Sequence, residues 1–361
     1  MEQTMTTETA IDPERVQSFA GEVLGDLAGA MATVLAILGD RLGLFEALAT
    51  AGPATSAELA ERRGASERYT REWLYGMHAA GYLKHDRERA SFALPAEHAE
   101  VLAAEGGPFS VAGGYQALSG ELRMLDRLSE AFRSGGGVPQ TAYPDDTFDG
   151  MRRFSLPWYE HQLVEQWIPT VDGAHDKLQA GASYADIGCG AGQALLKLAR
   201  TYPRSNFVGY DSFHRAIERA RRAAERTGLG DRVRFELLDA ADGLPEQYDL
   251  ISTFDVVHDT IDPVGLLRAI RRALNPDGTY LMLEMHCADD PSDNNGPIGT
   301  LLYGISVLYC MPTSLAHDGA ALGTCGCPPE VVRALCTEAG FSELRQLPLE
   351  NPFNVLYQIR P

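Results

Sequence analysis

A short apolar stretch, Tyr184–Ile187, runs into Asp186-Ile187-Gly188-Cys189-Gly190-Ala191-Gly192 and then into a helical pattern at Gln193–Arg200. Glycines at 188, 190 and 192 let backbone approach a ligand closely and allow a tight strand-to-helix turn. Turns of this kind belong to chains in which strands and helices alternate around a parallel sheet. Their ligands sit beyond the carboxyl ends of the strands. The spacing is G-x-G-x-G, not the G-x-G-x-x-G of a dinucleotide site, and Asp186 precedes the first glycine by two positions. A carboxylate there repels a pyrophosphate and suits a cationic ligand.

The alternation continues. Apolar strands are expected at Phe207–Tyr210, Val233–Leu237, Leu250–Phe254 and Tyr280–Met285, with helices at Arg215–Thr227 and Val264–Leu274. The fold class is therefore α/β, with a doubly wound parallel sheet. The tail adds a helix at Pro329–Ala339 and strands at Phe341–Leu347 and Asn354–Ile359. Two further acids close successive strands: Asp211, 25 positions after Asp186, and Asp239. A glycine loop alone is a weak signal, but a glycine loop followed by acids at two successive strand ends is a strong one.

The N-terminal part reads differently. Residues 1–15 are polar and acidic, as in a disordered tail. Leu35, Leu38, Leu42, Phe45 and Leu48 form one apolar helix stripe that Gly52-Pro53 breaks. Thr55 and Glu58 are spaced as a capping box, and Ser66 opens a helix with Tyr69, Trp73 and Met77 on one face. Tyr82–Lys84 and Ser91–Leu94 read as two short strands around a charged turn. Helix, turn, helix and hairpin is the order of a winged helix. Nucleic-acid binding is nevertheless disfavoured. Within Ser66–Gly81 Arg68 and Arg71 are balanced by Glu67 and Glu72, and the whole chain of 361 residues carries 31 basic and 50 acidic side chains, a net charge of −19. A polyanion or an anionic membrane surface needs the opposite balance. No apolar run is expected to reach the ~18 residues of a membrane span; the longest, Leu27–Gly39, is flanked by Asp26 and Asp40. The N-terminus lacks the pattern of a signal peptide, so a cytoplasmic location is expected, and the six cysteines are expected to be free thiols. The expected division is a tail at 1–15, a winged-helix-like dimerisation domain at 16–105, a helical connector and substrate lid at 106–175, and a sheet domain at 176–361.

The set Asp186–Gly192, Asp211, Asp239-Ala240 and Leu274-Asn275-Pro276-Asp277-Gly278-Thr279 resembles the class I S-adenosylmethionine-dependent methyltransferases. With the winged-helix-like region, residues 30–361 resemble small-molecule O-methyltransferases and their C- and N-methylating relatives. The resemblance implies a Rossmann-like seven-stranded sheet whose last strand is antiparallel, a homodimer built through the N-terminal domain, and S-adenosylmethionine as cofactor. It places the amino-acid portion of the cofactor on Gly188, Gly190 and Gly192, the ribose on Asp211 and the adenine on Asp239. Asp186, Ser212, Ala240, Phe254 and Asp255 complete that site.

The resemblance also implies a catalytic base at His258 with Asp259 beside it; Thr260 replaces the family's usual Trp, while Asp262 keeps the next acid. A His with a pKa near neutral suits removal of a hydroxyl proton as oxygen attacks the methyl group. A buried His satisfying a local hydrogen bond is the plainer alternative. Trp158, Tyr159, His161, His286 and the stretch from Tyr303 to Met311 are the expected substrate walls. Some relatives that methylate α-keto acids use a metal, but the spacing of His258, His286 and His317 is not diagnostic and no metal is expected. Cys325-Gly326-Cys327 lacks a second pair and reads as plain thiols. The expected activity is methylation of a small, apolar or aromatic acceptor, with oxygen favoured. The alternatives are C-methylation of an α-keto acid, and a winged-helix regulator whose methyltransferase-like domain senses a ligand.

Overall fold

Asp12 starts the first helix, Pro13–Arg41, by accepting the backbone N–H groups of Glu14 and Arg15, with Pro13 in the first turn. The computed structural model describes residues 11–361. Of the expected tail, residues 1–10 lie outside the described residues, whereas Pro13, Glu14 and Arg15 belong to this helix. The chain divides into two units, one ending at Tyr115 and the other running from Gln116 to Pro361.

In the first unit, the apolar stripe expected from Leu35 to Leu48 is two helices. Gly43 takes φ +64° and separates Pro13–Arg41 from Leu44–Ala51. The left-handed turn re-aims the chain, so Phe45 and Leu48 are buried while Leu38 and Leu42 remain 45% and 49% exposed. The capping box at Thr55 and Glu58 forms as expected and opens Ser56–Arg63. The next helix, Glu67–Ala79, buries Thr70, Trp73, Leu74 and Met77. Tyr69 is not on that face. It is 81% exposed, because a strict four-residue step drifts off the stripe and Thr70 takes the buried place. Two strands, β1 (Lys84–Asp86) and β2 (Ser91–Ala93), make the wing. β1 starts later than expected because the N–H groups of Tyr82 and Leu83 both turn back to the Met77 carbonyl and close the preceding helix.

Two described helices, Pro13–Arg41 and Gly296–Leu315, are long and apolar enough to cross a membrane by length and composition. This corrects the expectation that no stretch reaches that length: single charges such as Asp26 interrupt a run of apolar residues without making the helix polar. Gly296–Leu315 is partly packed within its own unit, whereas Pro13–Arg41 exposes Val16, Phe19, Leu24, Leu27 and Met31.

The second unit holds a seven-stranded sheet: β3 (Ser183–Ile187), β4 (Asn206–Asp211), β5 (Val233–Leu237), β6 (Tyr248–Phe254), β7 (Leu274–Met285), β8 (Glu343–Leu347) and β9 (Asn354–Arg360). The order is β5-β4-β3-β6-β7-β9-β8; β9 runs antiparallel to both neighbours and the other central pairs are parallel. This is the expected sheet with its last strand reversed. Residues 275–278 are less simple than a turn before a strand: the register jumps between Tyr248↔Leu274 and Leu250↔Thr279, so they bulge out of β7. Side chains alternate across the sheet, and both faces are buried. Tyr184 joins one core with Leu195, Phe207, Ile217 and Phe254; Ala185 and Ile187 join the other with Leu266, Ile270, Val332 and Tyr357.

Strand order reverses between β3 and β6, the position at whose carboxyl end open α/β sheets bind their ligands. Two π-helical segments border that end, Tyr159–Trp167 and Ser306–Cys310. Each adjoins a proline, Pro157 or Pro312, that cannot donate a backbone hydrogen bond. The carbonyl that Pro312 leaves free, that of Leu308, accepts instead from the Tyr143 hydroxyl at 2.7 Å.

Candidate active site

The three loop glycines have different tasks. All have positive φ: +68° at Gly188, +54° at Gly190 and +77° at Gly192. A Cβ on Gly188 would lie 2.6 Å from Val256 Cγ2, and one on Gly192 would lie 2.4 Å from Phe235 Cζ. These two are needed for packing. A Cβ on Gly190 meets nothing within 4 Å, so this is the loop position that faces open space. The Gly190 N–H donates to Asp211 Oδ2 at 2.9 Å, and Phe213 N–H donates to Asp211 Oδ1 at 2.8 Å. Asp211 thus ties the β3 loop to the end of β4 and keeps lone pairs for further donors. Burial raises its carboxyl above the usual range, against these two bonds.

Asp186 is buried and accepts from Ser252 Oγ at 2.6 Å. Burial, with the Asp211 charge adding to it, pushes Asp186 up to about 7 against the Ser252 bond. Asp239 is exposed and its carboxylate accepts from Ala241 N–H at 3.0 Å; Ser212 is exposed and Ala240 buried. Asp255 follows β6 in a left-handed conformation, φ +57°, that non-glycine residues rarely adopt. Its backbone N–H donates to Leu283 O at 2.9 Å, and its carboxylate accepts from Asn354 Nδ2 at 2.7 Å. Burial and then Glu284 push the Asp255 carboxyl up to about 8. Phe254 is buried against Tyr159 and Trp167.

His258 is buried between two carboxylates. Its Nδ1 lies 2.6 Å from Glu284 Oε2, while Glu284 Oε1 accepts the Val257 N–H at 2.8 Å. Its Nε2 lies 3.2 Å from Asp259 Oδ1, without the geometry of a hydrogen bond. Burial alone would lower the imidazole pKa, but Asp259 and Glu284 outweigh it and hold it well above its usual value. Cys310 Sγ completes the group, within 4.8 Å of the His258 and Asp259 donor atoms. Burial pushes this thiol up to about 12.

The expected substrate residues separate. Tyr159 reaches the strand ends: burial raises its phenol, and the nearby Asp255 and Asp186 carboxyls add to that. Trp158 meets Phe154 edge-on and Phe353 at a tilt. Met311 follows Cys310. His161 and His286 are exposed, and Tyr303 donates to Pro291 O at 3.2 Å away from the cluster. His286 leaves β7 and points its side chain to solvent, whereas Glu284, two residues earlier, points into the site.

A family model described as a methyltransferase domain matches residues 178–302, which include the glycine loop, Asp211 and His258. The chain carries a methyltransferase domain. A second model, an Rv2258c-like winged HTH domain, matches residues 29–104. Methyltransferase ungE′ of Aspergillus campestris is 30% identical over 167 residues, 42% of this chain and 48% of that protein. The chain spans about half the length of such curated relatives. Among solved structures, the mitomycin 7-O-methyltransferase MmcR aligns with a TM-score of 0.70 and 22% identity, over 96% of this chain and 100% of that one. PigF with SAH aligns at 0.72 and 20%, over 94% and 99%. The likeness to both is one of fold.

Several residues of this cluster carry no mark in the sequence. Glu284 could have been found, as a lone acid inside an apolar strand. Ser252 and Asn354 look like ordinary strand residues. Cys310 and Tyr309 lie inside a stretch marked only as apolar wall. Tyr309 accepts from Gln140 Nε2 at 2.9 Å, and its phenol is raised first by burial and then by Asp259 and, less, by Asp211, which places it near both carboxyls.

Proposed function

We propose that the protein transfers a methyl group from S-adenosylmethionine to a small-molecule acceptor, with oxygen the favoured methylated atom. The observation that carries this reading is the loop at Gly190. It presents open backbone between Asp186 and Asp211, with no basic side chain among the residues placed there. Buried carboxyl acceptors beside half-exposed backbone suit a cationic ligand rich in hydroxyl groups and do not suit a pyrophosphate. The cofactor supplies an electrophilic methyl carbon on its sulfonium. Asp211 takes the ribose hydroxyls on its remaining lone pairs, Asp239 the adenine amino group, and Gly190 allows close approach of the amino-acid portion. Phe254, Tyr159 and Trp158 exclude water from the reacting atoms and align the acceptor.

His258 and Asp259 are the acid–base pair of this reading: the ring, which Asp259 and Glu284 hold charged above its usual range rather than near neutral, gives up its Nε2 proton before it takes that of the acceptor, and Glu284 fixes the ring. The protein acts as a homodimer in the cytoplasm, with the apolar side of Pro13–Arg41 as the contact. In the winged-helix unit Arg68 pairs with Glu72, and Arg71 with Glu67 at 3.2 Å, so that helix presents no net basic charge to a phosphate backbone. The test is formation of S-adenosylhomocysteine and methylated product over a panel of phenols, hydroxylated polyketides and α-keto acids. Turnover of a phenol or hydroxyl acceptor supports O-methylation, and turnover of keto acids alone replaces it with the carbon reading. Normal turnover in His258→Ala removes that residue from the chemistry. Light scattering should give twice the chain mass of 39.2 kDa. A monomer, or salt-sensitive DNA binding in a gel shift, contradicts the role given to the first unit.

A further inference from the structure

We propose that His258 Nε2, Asp259 Oδ1 and Cys310 Sγ form a binding site for a divalent transition-metal ion of the Zn2+ type. The three donor atoms lie within 4.8 Å of one another. The Nε2–Oδ1 edge is 3.2 Å, close to the roughly 3.4 Å between neighbouring donors that a tetrahedral site with bonds of about 2.1 Å requires. The surroundings are those of a metal site. Glu284 Oε2, 2.6 Å from Nδ1, holds the proton on that nitrogen and leaves Nε2 as the donor. Asp259 Oδ1 is buried and makes no hydrogen bond by geometry among the described residues; the groups that meet its charge are the His258 ring 3.2 Å away and the Cys310 thiol, and a metal ion bound between the three takes over that role. Thr324 Oγ1 donates to Cys310 Sγ at 3.1 Å, a bond that also steadies a thiolate.

One nitrogen, one oxygen and one sulfur donor select Zn2+ over Mg2+ or Ca2+. On binding, the Cys310 thiol proton and any proton on His258 Nε2 leave to solvent, and thiolate and neutral imidazole become the ligands. Three protein ligands leave a fourth position open, as in catalytic rather than structural zinc sites. That this position takes an oxygen of the methyl acceptor rests on the methyl transfer proposed above, with His258 then a ligand in place of a base; metal binding itself does not. The site differs from the histidine groupings and the Cys325–Cys327 pair weighed from sequence.

The test is Co2+ titration of the chelator-stripped full chain, followed by absorption, with Zn2+ as competitor and metal content by mass spectrometry. One Co2+ per chain is expected, with a thiolate-to-Co2+ charge-transfer band that Zn2+ abolishes. Cys310→Ser should lose the band, and Asp259→Asn should weaken binding at least tenfold. S-adenosylhomocysteine affinity should stay within about twofold in both, which also shows that the variants are folded. No stoichiometric Co2+ uptake by wild-type protein that binds S-adenosylhomocysteine overturns the proposal, as does a band that persists in Cys310→Ser. Co2+ uptake without S-adenosylhomocysteine binding upholds this site and sinks the methyl-transfer reading instead.

Discussion

The glycine cradle and the His258 group stand at neighbouring strand ends of one sheet, and they are built in opposite ways. The cradle is local: Asp186 to Gly192 is one turn, and Asp211 closes it from the next strand through the bond to Gly190. The His258 group is assembled from distant chain. Glu284 comes from β7, four strands along the sequence from the loop and two across the sheet, and Cys310 from a π-helical segment that the proline at 312 and the Tyr143 hydroxyl hold in place. The cradle's parts are fixed by backbone conformation. Those of the His258 group are fixed by burial and by one another's charges.

This contrast predicts separable losses. The largest effect belongs to the cradle. Asp211→Ala removes bonds to a charged acceptor worth roughly 1.5–3 kcal/mol each, so S-adenosylhomocysteine affinity should fall about 100-fold. Gly190→Val should do the same by filling the open position and straining its φ of +54°. A calorimetric Kd within threefold of wild type in either variant breaks the assignment.

The His258 group should respond in turnover rather than in cofactor binding. Glu284→Gln leaves the cradle intact but loosens the imidazole and the Val257 N–H. A fall of about 10–100-fold in kcat, with KM and S-adenosylhomocysteine affinity nearly unchanged, is expected of such an orienting group. Loss of both binding and turnover would mean that the two regions are one structural unit and the contrast is false.

The smallest effect lies outside both regions and tests whether burial sets charge states here. Glu121 is buried, and desolvation pushes its carboxyl up to about 7. An acid whose folded pKa exceeds its unfolded value is protonated more readily in the fold. The fold is therefore penalised progressively as pH rises from the ordinary carboxyl range, near 4.5, to about 7. Glu121→Gln should remove that slope and stabilise the protein by roughly 1–3 kcal/mol at pH 8, with little gain at pH 4.5. Equal effects at both values, read by denaturant unfolding, would contradict it.

The same contrast explains what was legible in the sequence. Val233–Leu237 and Pro329–Ala339 were placed to the residue, and the capping box at Thr55 formed, because each is encoded within a few neighbours. The stripe across Gly43 misled because one left-handed glycine cuts a helix without disturbing its apolar spacing. His286 is marked in the sequence and Glu284 is not, because residue type and the strand end at Met285 are legible there whereas which side chain is buried at that end is not. The fold turns the chain at Met285 and leaves His286 in solvent. Cys310 carried no local mark, since its importance arises only when Ser306–Cys310 folds back over His258 and Asp259. The lesson is physical: a loop's conformation is written in its own residues, and a buried charge cluster is not.

The most direct test of the account is a calorimetric titration of the purified protein with S-adenosylhomocysteine, and with NAD as the control. The account predicts micromolar binding of the first, about −8 kcal/mol, and none of the second. Binding of NAD, or of neither ligand, would contradict it.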